Sequence, residues 1–429
     1  MDTLPLFAAL EEPAAKPRVA IIGAGPAGLM AAQTLAQAGM AVSVYDQKKS
    51  PARKFLIAGR GGLNLTHSED ADSFIGRYGP QGDFLKQAID AFPPAALRAW
   101  CEELGEPTFT GSSGRVFPQS FKASPLLRAW LARLDKLGVT FHPAHQWTGW
   151  SNDNALRFIQ NDSTEITVRA DAVLLALGGA SWPHLGSDGA WTSLLRDVPQ
   201  SPLRPANCGF TVGWSDILRD KYAGHPIKSA SFTLGDQTVN GEAMLTQAGI
   251  EGGAIYALSR PIRNAIERNG HAVMHMDLRR DISLPALTEK LSAARGRESF
   301  TNFLRKAAGL SPVAIGLVQE HRTSASLPAA GLARLIKHYP VTLQAPFAID
   351  RAISSAGGIH LDAINADYML KEKEGVFIAG EMLDWEAPTG GYLLQACFST
   401  GRRAAQGMLA WLKHASLQAP ASAFHSDPA

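Results

Sequence analysis

Short apolar runs, glycine-rich turns and amphipathic stretches alternate through the first 190 residues of the chain. Residues 19–22 form an apolar β-type run, residues 29–38 predict a helix that Gly39 ends, and residues 41–45 predict a second strand. This succession predicts one strand–helix–strand unit with parallel strands. Further elements are predicted at 83–89, 94–104 and 124–137 (helices), 139–170 (strands and turns) and 172–177 (a buried strand).

The pattern changes near residue 190. Residues 208–280 alternate short β-type runs with turns, and residues 284–338 are mostly helical. Strand and glycine patterns return near Pro346, and a closing helix is predicted over roughly 391–412. The chain is therefore predicted to leave a first α/β domain near 190 and to re-enter it near 345.

A polar, glycine-rich connection occupies residues 48–70. A structureless segment of this length is uncommon in a compact fold and is usually functional or disordered. A second turn-rich loop is predicted at 111–124. We therefore expect residues 48–70 to contribute to a binding site.

Composition narrows the class of protein. The 429 residues are 45% apolar and 19% charged, which suits a globular chain with large cores. Lys and Arg number 41 against 39 Asp and Glu, so the charge balance argues against a strongly basic nucleic-acid binder, although it allows a local basic patch.

Three cysteines, Cys101, Cys208 and Cys397, stand far apart. Their spacing excludes a C-x-x-C redox motif and a cysteine zinc site of standard spacing, and no metal site is predicted. A reducing, cytoplasmic location is expected. The N-terminus has no signal-peptide pattern and no run of eighteen apolar residues is present, so no membrane segment is expected.

The segment 23–28 matches G-x-G-x-x-G between a predicted strand and a predicted helix. Gly23 permits a sharp turn, Gly25 leaves the backbone open to a pyrophosphate, and Gly28 permits close packing of helix on strand. The helix N-terminus offers free N–H groups and a partial positive charge to phosphates. These features predict a dinucleotide site.

Asp46 ends the second predicted strand. A carboxylate there can accept hydrogen bonds from ribose hydroxyls and would repel a 2′-phosphate, which disfavours NADP at this site. A second glycine-rich block, 375–401, also predicts a strand, a turn and a helix, with Gly390 and Gly391 at the start of the helix. Two separated blocks indicate a long cofactor such as FAD, because helix N-terminal amides can stabilise a reduced flavin.

The sequence resembles the BaiN-like bacterial flavoproteins, which are NAD(P)/FAD-dependent oxidoreductases with a fold similar to glutathione reductase. The resemblance covers about residues 18–410. Five blocks carry it: AIIGAGPAGLMAA; RKFLIAGRGGLNLTHS; GRVFPQSFKAS; LLALGGASWPHLGSDGAW; and SSAGGIHLD with GVFIAGEMLDWEAPTGGYLLQACFSTG.

The resemblance implies a Rossmann-like FAD-binding domain of the two-dinucleotide-binding type, interrupted by an inserted β-barrel and a small helical subdomain. The expected boundaries are 1–17 (flexible N-terminus), 18–190 (first part of the FAD domain), 191–345 (insert), 346–415 (second part) and 416–429 (flexible tail). The insert shows no second strand-G-x-G-x-x-G-helix unit, so NAD(P)H, if it is the donor, would enter the substrate cavity.

The resemblance also implies the residues that contact FAD. They are Gly23, Gly25, Pro26, Ala27, Gly28, Asp46, Gln47, Lys54, Arg60, Gly61, Gly62, Asn64, Leu65, Gly178, Gly179, Gly380, Glu381, Asp384, Gly390, Gly391, Tyr392 and Leu393.

The chain departs from the family pattern at three places. Leu63 replaces a cysteine, Leu393 replaces an asparagine, and Gln247 lies in an altered segment of the insert. These departures indicate a divergent subgroup.

No catalytic residue follows from the sequence. His67, His184 and His360 are candidate proton donors, although hydrogen bonding within loops is favoured for each. Arg60 and Arg115 are candidates for holding an anionic substrate or the reduced flavin, or else for salt bridges. Packing is favoured for Cys397.

Three functions remain open. The first is hydride or electron transfer between FAD and a small organic substrate at a C=C or C–N bond. The second is flavin-dependent reduction of an RNA base of the dihydrouridine type, and the third is a non-catalytic flavin-binding sensor.

Overall fold

Five parallel strands form the sheet that carries the glycine turn, within the residues that the computed structural model describes: 16–59, 61–321 and 323–418. In spatial order they are Val376–Ile378, Ala172–Leu175, Arg18–Ile22, Ala41–Asp46 and Thr140–Pro143. In the two strands at the centre of the sheet, Arg18–Ile22 and Ala172–Leu175, every residue except Arg18 is apolar and buried, as expected when helices cover both faces of a parallel sheet. The strand near the C-terminus therefore lies in the same sheet as the glycine turn.

The helix Pro26–Gln37 connects the first two strands, and the closing helix Tyr392–Gln418 packs on it. A Cβ at Gly401 would overlap the carbonyl oxygen of Ala27, so the two backbones are in direct contact. The other α-helices are Arg53–Ala58, Ala71–Gly76, Gly82–Ala91, Pro94–Glu103, Ala123–Lys136, Trp191–Leu194, Asp216–Tyr222, Gly253–Ala257, Ser259–Asn269, Leu284–Leu291, Phe300–Ala307, Pro312–Glu320 and Ala329–Lys337.

Smaller elements cover the edges of this sheet. The short 3₁₀ turns are Gly79–Gln81, Pro183–Leu185, Ser324–Ser326, Ile349–Arg351, Leu361–Ala363 and Gly380–Met382. Three antiparallel groupings are Thr66–His67 with Arg115–Pro118 and Thr108–Thr110, His145–Trp150 with Leu156–Gln160 and Glu165–Val168, and Gln200–Ala206 with Ser354–Ile359. The last pair connects the parallel-sheet region to the inserted segment.

The insert contains a curled antiparallel sheet. Its strands, in spatial order, are Phe210–Thr211, Gly249–Glu251, Gln237–Leu245, Pro226–Leu234, Ala272–Asp277 and Tyr339–Leu343. Thr211 donates its N–H to the carbonyl of Ala345 (2.8 Å) and accepts one from Gln344 (3.0 Å). The chain that follows the last strand therefore pairs with the first strand and closes the sheet, which confirms the predicted β-barrel.

Apolar side chains form two separate cores. The first contains residues from 19–195 and 359–412, and the second contains residues from 208–352. The chain thus leaves the first core and returns to it, as the sequence pattern predicts. The boundaries at 190 and 345, as limits of separate domains, stay a prediction.

The sequence analysis missed several short helices. Residues 48–70, predicted to be a loop, contain the helix Arg53–Ala58, which buries only Phe55 and so shows no apolar periodicity. Residues 208–280, read as β-type runs and turns, also contain Asp216–Tyr222, Gly253–Ala257 and Ser259–Asn269. The strand predicted at 172–177 ends at Leu175.

The chain ends require one further correction. The closing helix continues to Gln418, past the predicted end near 412 and into the expected tail. Residues 1–15 and 419–429 lie outside the described residues, and so do the predictions made for them. Among the described helices, none combines the length and hydropathy needed to cross a bilayer.

Candidate functional site

The glycine turn opens onto a long cavity, which we call the first cavity. It is lined by segments within 22–27, 45–55, 145–147, 176–194 and 379–381 and by Cys397. Gly23 has a φ of +105°, and a Cβ there would overlap the carbonyl oxygen of Ala176. A Cβ at Gly28 would overlap the carbonyl oxygen of Gly23. Folding therefore requires glycine at these two positions.

Gly25 differs from the other two glycines, because no atom lies within 4 Å of the position that its Cβ would occupy. It caps the helix Pro26–Gln37 with extended backbone and without a side-chain hydrogen bond. Gly25, Pro26 and Ala27 all line the first cavity. The uncapped N–H groups and the helix dipole together suit an anion such as a pyrophosphate.

Asp46 lies beside the turn and lines the same cavity. Its Oδ2 accepts a hydrogen bond from Ala24 N (2.8 Å) and its Oδ1 accepts one from Lys48 N (2.7 Å). Burial raises the pKa of this carboxyl, and the backbone hydrogen bonds oppose that rise. Each oxygen keeps a second lone pair for a ribose hydroxyl. The Gln47 amide instead donates to the carbonyl of Gly186 (2.9 Å) and so closes the cavity wall.

The wall opposite Asp46 comes from residues after the strand Ala172–Leu175. Trp191 Nε1 donates to the carbonyl of Gly178 (2.8 Å), which fixes the turn predicted to contact FAD. Ser187 lines the cavity, and its Oγ is buried without a hydrogen-bond partner among the described residues. An unpaired buried hydroxyl at this position fits a ligand with polar groups. Both side chains lie in the block LLALGGASWPHLGSDGAW, but neither was among the predicted FAD contacts.

The far end of the first cavity holds a buried ion pair. Lys54 Nζ donates to Glu381 Oε2 (2.7 Å) and to Ser181 Oγ (2.6 Å). Glu381 is 7% exposed, and its Oε1 accepts a hydrogen bond from Ser355 N (2.9 Å). Lys54 lies in the second of the five blocks that carry the family resemblance, and Glu381 lies in the last. The structure therefore brings Gly23, Gly25, Lys54 and Glu381 onto one cavity.

Cys397 reaches this end of the first cavity from the closing helix. Burial raises the pKa of its thiol, and the nearby Glu381 carboxylate raises it further. The thiol is unpaired and buried, as are Cys101 and Cys208. A neutral thiol in this position packs against a ligand rather than attacking it.

Several predicted FAD contacts do not line the first cavity. Gly391 packs against the backbone of Thr66, and a Cβ at Gly390 would overlap the Tyr392 ring. Asn64 lies nearby, with its Oδ1 buried and unpaired among the described residues. The other predicted contacts outside the lining are Gly28, Gly61, Gly62, Leu65, Gly179, Asp384, Tyr392 and Leu393. Arg60 lies outside the described residues.

Asp384, predicted to contact FAD, accepts a hydrogen bond within the protein. Its Oδ2 accepts a hydrogen bond from Ser201 Oγ (2.7 Å), and Ser201 Oγ also lies 3.0 Å from His360 Nε2. The cluster ties the pair Gln200–Ala206 and Ser354–Ile359 to the second glycine block. His360 therefore acts as a hydrogen-bonding partner between segments in this structure.

Of the remaining candidate side chains, His67 and His184 contact neighbouring protein groups and Arg115 is exposed. His67 Nε2 contacts the carbonyl of Ser113 (2.9 Å), and His67 Nδ1 accepts a hydrogen bond from Glu69 N (3.2 Å). The His184 ring contacts Trp182 edge-on at 5.7 Å between centroids. Arg115 lies exposed on the strand Arg115–Pro118.

Tyr392, directly after the two glycines, belongs to a polar network that the sequence analysis missed. Its hydroxyl donates to Glu69 Oε1 (2.6 Å), and Arg77 Nη2 donates to Glu69 Oε2 (2.6 Å). Burial alone would raise the pKa of Glu69, but the bonds from Arg77 and Tyr392 together lower it below its usual value. Burial and the Glu69 carboxylate raise the pKa of Tyr392, so its phenol is neutral.

Comparisons with known proteins agree with this geometry. The family model described as HI0933-like protein Rossmann domain matches residues 17–407. The chain is 25% identical to 3-dehydro-bile acid delta(4,6)-reductase of Clostridium scindens, over 90% of this chain and 97% of the relative. It is 23% identical to ribosomal RNA dihydrouridine synthase of Haemophilus influenzae, over 89% of this chain and 95% of the relative.

A solved structure shares the fold. An open conformation of a flavocytochrome c3 fumarate reductase superposes with a TM-score of 0.52 at 15% identity, over 93% of this chain and 79% of that chain. At this identity the likeness concerns the fold alone.

Proposed function

The chain belongs to the HI0933-like protein Rossmann domain family, and we propose that it is a reductase that uses FAD. Its relatives are oxidoreductases. The proposed reaction reduces a carbon–carbon double bond conjugated to a carbonyl group in a small organic substrate. The observation that carries the proposal is the first cavity, which joins Gly23 and Gly25 to Glu381. A single long cofactor accounts for contacts from both ends of the sequence.

The residues of the first cavity fit FAD. The N–H groups at Gly25–Ala27 would hold its pyrophosphate, and Asp46 would accept from the adenosine ribose. Lys54 and Glu381 would hydrogen-bond the ribityl chain. When bound, FAD supplies hydride transfer at its N5 atom.

The substrate bond follows from what two relatives share. One is named a bile acid delta(4,6)-reductase and the other a dihydrouridine synthase. Both names describe the addition of hydrogen across a C=C bond. Conjugation with a carbonyl makes such a bond receptive to hydride, and a proton must then reach the neighbouring carbon.

The experiment begins with the absorption spectrum of the purified protein, reconstituted with FAD where necessary. Anaerobic reduction with dithionite should bleach the flavin bands, and a conjugated enone should then restore them while its saturated analogue does not. A protein that refuses FAD, or a reduced flavin that no enone reoxidises, contradicts the proposal.

NAD(P)H is the proposed electron donor. Within the described part of the chain, only one sheet is parallel and carries a glycine turn. NAD(P)H would therefore approach the flavin from the substrate side. Anaerobic titration with NADH and NADPH tests this, and reduction by neither would exclude both as donors.

RNA-base reduction is the second candidate, because a relative acts in ribosomal RNA according to its name and because of one surface feature. Phe109 lies 5.9 Å from Phe117 and 5.0 Å from Phe121 between ring centroids. Phe121 is 48% exposed, and Arg115 and Lys122 flank the cluster. Aromatic rings beside cations suit a single-stranded RNA. Salt-dependent binding of a ribosomal RNA fragment would favour this candidate, and its absence would reject it.

A further inference from the structure

A second cavity lies between the two cores. It encloses about 420 Å³ and is lined by Arg77 and residues 386–388 on one side and by Tyr256, Arg260 and Asn264 on the other. Cavities that bind small molecules typically enclose roughly 300 to 1,000 Å³. Its size therefore suits a small organic ligand.

The second cavity carries an excess of positive charge. Arg260 Nε and Arg263 Nη2 both donate to Glu386 Oε1, at 2.9 and 2.6 Å. One carboxylate thus faces two guanidinium groups, and Arg263 is only 2% exposed. Arg77 is already paired with Glu69 and adds no net charge. A buried cation without a full counter-charge is costly, so an anionic ligand would be favoured here.

Two hydrogen-bond donors of the cavity remain unused. Among the described residues, Arg260 Nη1 has no hydrogen-bond partner, whereas Arg260 Nη2 donates to the carbonyl of Glu386 (2.9 Å). The Tyr256 oxygen accepts a hydrogen bond from the backbone of Gly252, and its own proton remains available to a ligand. Burial raises the pKa of Tyr256 to about 12, so the phenol is protonated at neutral pH. Both side chains line the cavity and are free to donate to an oxygen of a ligand.

The second cavity also adjoins the segment that the sequence assigns to the flavin. Residues 386–388 continue directly into Gly390 and Gly391. Arg77 contacts Glu69, which accepts from Tyr392, and Tyr78 donates its hydroxyl to the carbonyl of Tyr392 (2.8 Å). The second cavity therefore lies beside the hydrogen-bond network that contains Tyr392.

We propose that the second cavity is the substrate site and that Arg260 and Tyr256 bind the carboxylate of a small unsaturated organic acid. This assignment rests on the proposed function, because it places the reducible bond at the flavin. The carboxylate would accept hydrogen bonds from Arg260 Nη1 and from the Tyr256 hydroxyl. Neither donor would have to leave a protein partner.

The test uses the FAD-loaded protein and a matched pair of probes, para-carboxychalcone and its methyl ester, with binding measured by calorimetry. Both probes carry the same conjugated enone and differ in charge. Charge-assisted hydrogen bonds predict that the acid binds roughly 10- to 100-fold more tightly than the ester. Tyr256→Phe should weaken acid binding about 10-fold and leave ester binding unchanged.

Arg260→Gln should remove the preference for the acid, and Arg260→Lys should keep part of it. Arg260 also donates to Glu386, so its substitution changes contacts within the protein as well as ligand binding. Tyr256→Phe is therefore the more specific variant, and its thermal stability should equal that of the wild type. Equal affinity for acid and ester, or an acid affinity that neither Tyr256→Phe nor Arg260→Gln changes, overturns the assignment. Binding with the expected preference but without flavin reoxidation supports the site and contradicts the proposed reaction, so the two failures are distinct.

Discussion

The two cavities are built in different ways. The first is lined largely by short runs of neighbouring residues, such as 22–27 and 379–381, where backbone faces the cavity. The second is lined largely by polar and charged side chains on three runs, within 76–79, 256–264 and 386–388, together with Asn207 and Gln237. A cavity of the first kind leaves a local pattern of glycines, whereas a cavity of the second kind exists only after both cores have folded.

Their electrostatics differ in the same way. In the first cavity Lys54 and Glu381 balance each other, and the positive potential at the glycine turn comes from backbone N–H groups at a helix start. In the second cavity the surplus comes from Arg260 and Arg263, which share Glu386. A positive potential from backbone N–H groups does not depend on side-chain identity and therefore suits a cofactor that many proteins share. Charge carried by side chains can instead change with the substrate.

The largest expected effect concerns the ion cluster of the second cavity. Glu386→Ala should lower the free energy of unfolding by about 3–5 kcal/mol, because it leaves the buried Arg263 without its carboxylate. Urea unfolding measures the loss. The exposed pair Arg204–Glu267 provides the control, and Glu267→Ala should cost less than about 1 kcal/mol. Equal losses in both variants would mean that the second cavity has no special electrostatic role.

The glycines of the first cavity give the next effect. Gly28→Ala should destabilise the protein by about 1–3 kcal/mol, because the added methyl group overlaps the carbonyl oxygen of Gly23. Gly25→Ala should change stability by less than about 0.5 kcal/mol, yet weaken FAD binding, because its methyl group projects into open space. Urea unfolding of the FAD-free protein and FAD titration separate the two effects. Unchanged FAD affinity in Gly25→Ala would remove the pyrophosphate from this turn.

This contrast explains what could be predicted from the sequence. The roles of Gly23 and Gly28 follow from adjacent residues, since the strand, turn and helix that require them are consecutive. The return of the chain to its first core and the β-barrel insert were also predictable, from the change of pattern at 190–345 and from the family resemblance. In each case the signal is local or repeated along the chain.

The remaining features depend on contacts between distant segments. The Ser355 N–H donates to Glu381, and Trp191 Nε1 donates to Gly178, but nothing in the sequence pairs either residue with its partner. Gly391, predicted to contact the cofactor, also packs closely on the backbone of Thr66, because that short strand runs beneath the start of the closing helix. Such contacts arise from tertiary packing, which spacing in one sequence does not encode.

The Glu69 network, whose member Arg77 lines the second cavity, gives a smaller, pH-dependent effect. Its hydrogen bonds lower the pKa of Glu69, so they stabilise the protein above the usual pKa of about 4.3 and are lost as the pH falls through the lowered value. Glu69→Gln should cost about 1 kcal/mol at neutral pH, since Arg77 is half exposed. Calorimetric melting from about pH 7 to pH 4 should show this difference shrinking; a constant difference would show that the charge of Glu69 is not what stabilises the network.

The smallest effect tests whether the substrate needs a surface outside both cavities. Phe121 is 48% exposed and has a φ of +58°, a conformation that asparagine tolerates better. Phe121→Asn should therefore change the free energy of unfolding by less than about 0.5 kcal/mol. If the second cavity binds the substrate, reoxidation of the reduced flavin by a small enone should keep its wild-type rate. A slower rate with unchanged stability would instead place the substrate on the aromatic cluster of Phe109, Phe117 and Phe121, where an RNA base could stack on Phe117 and Phe121.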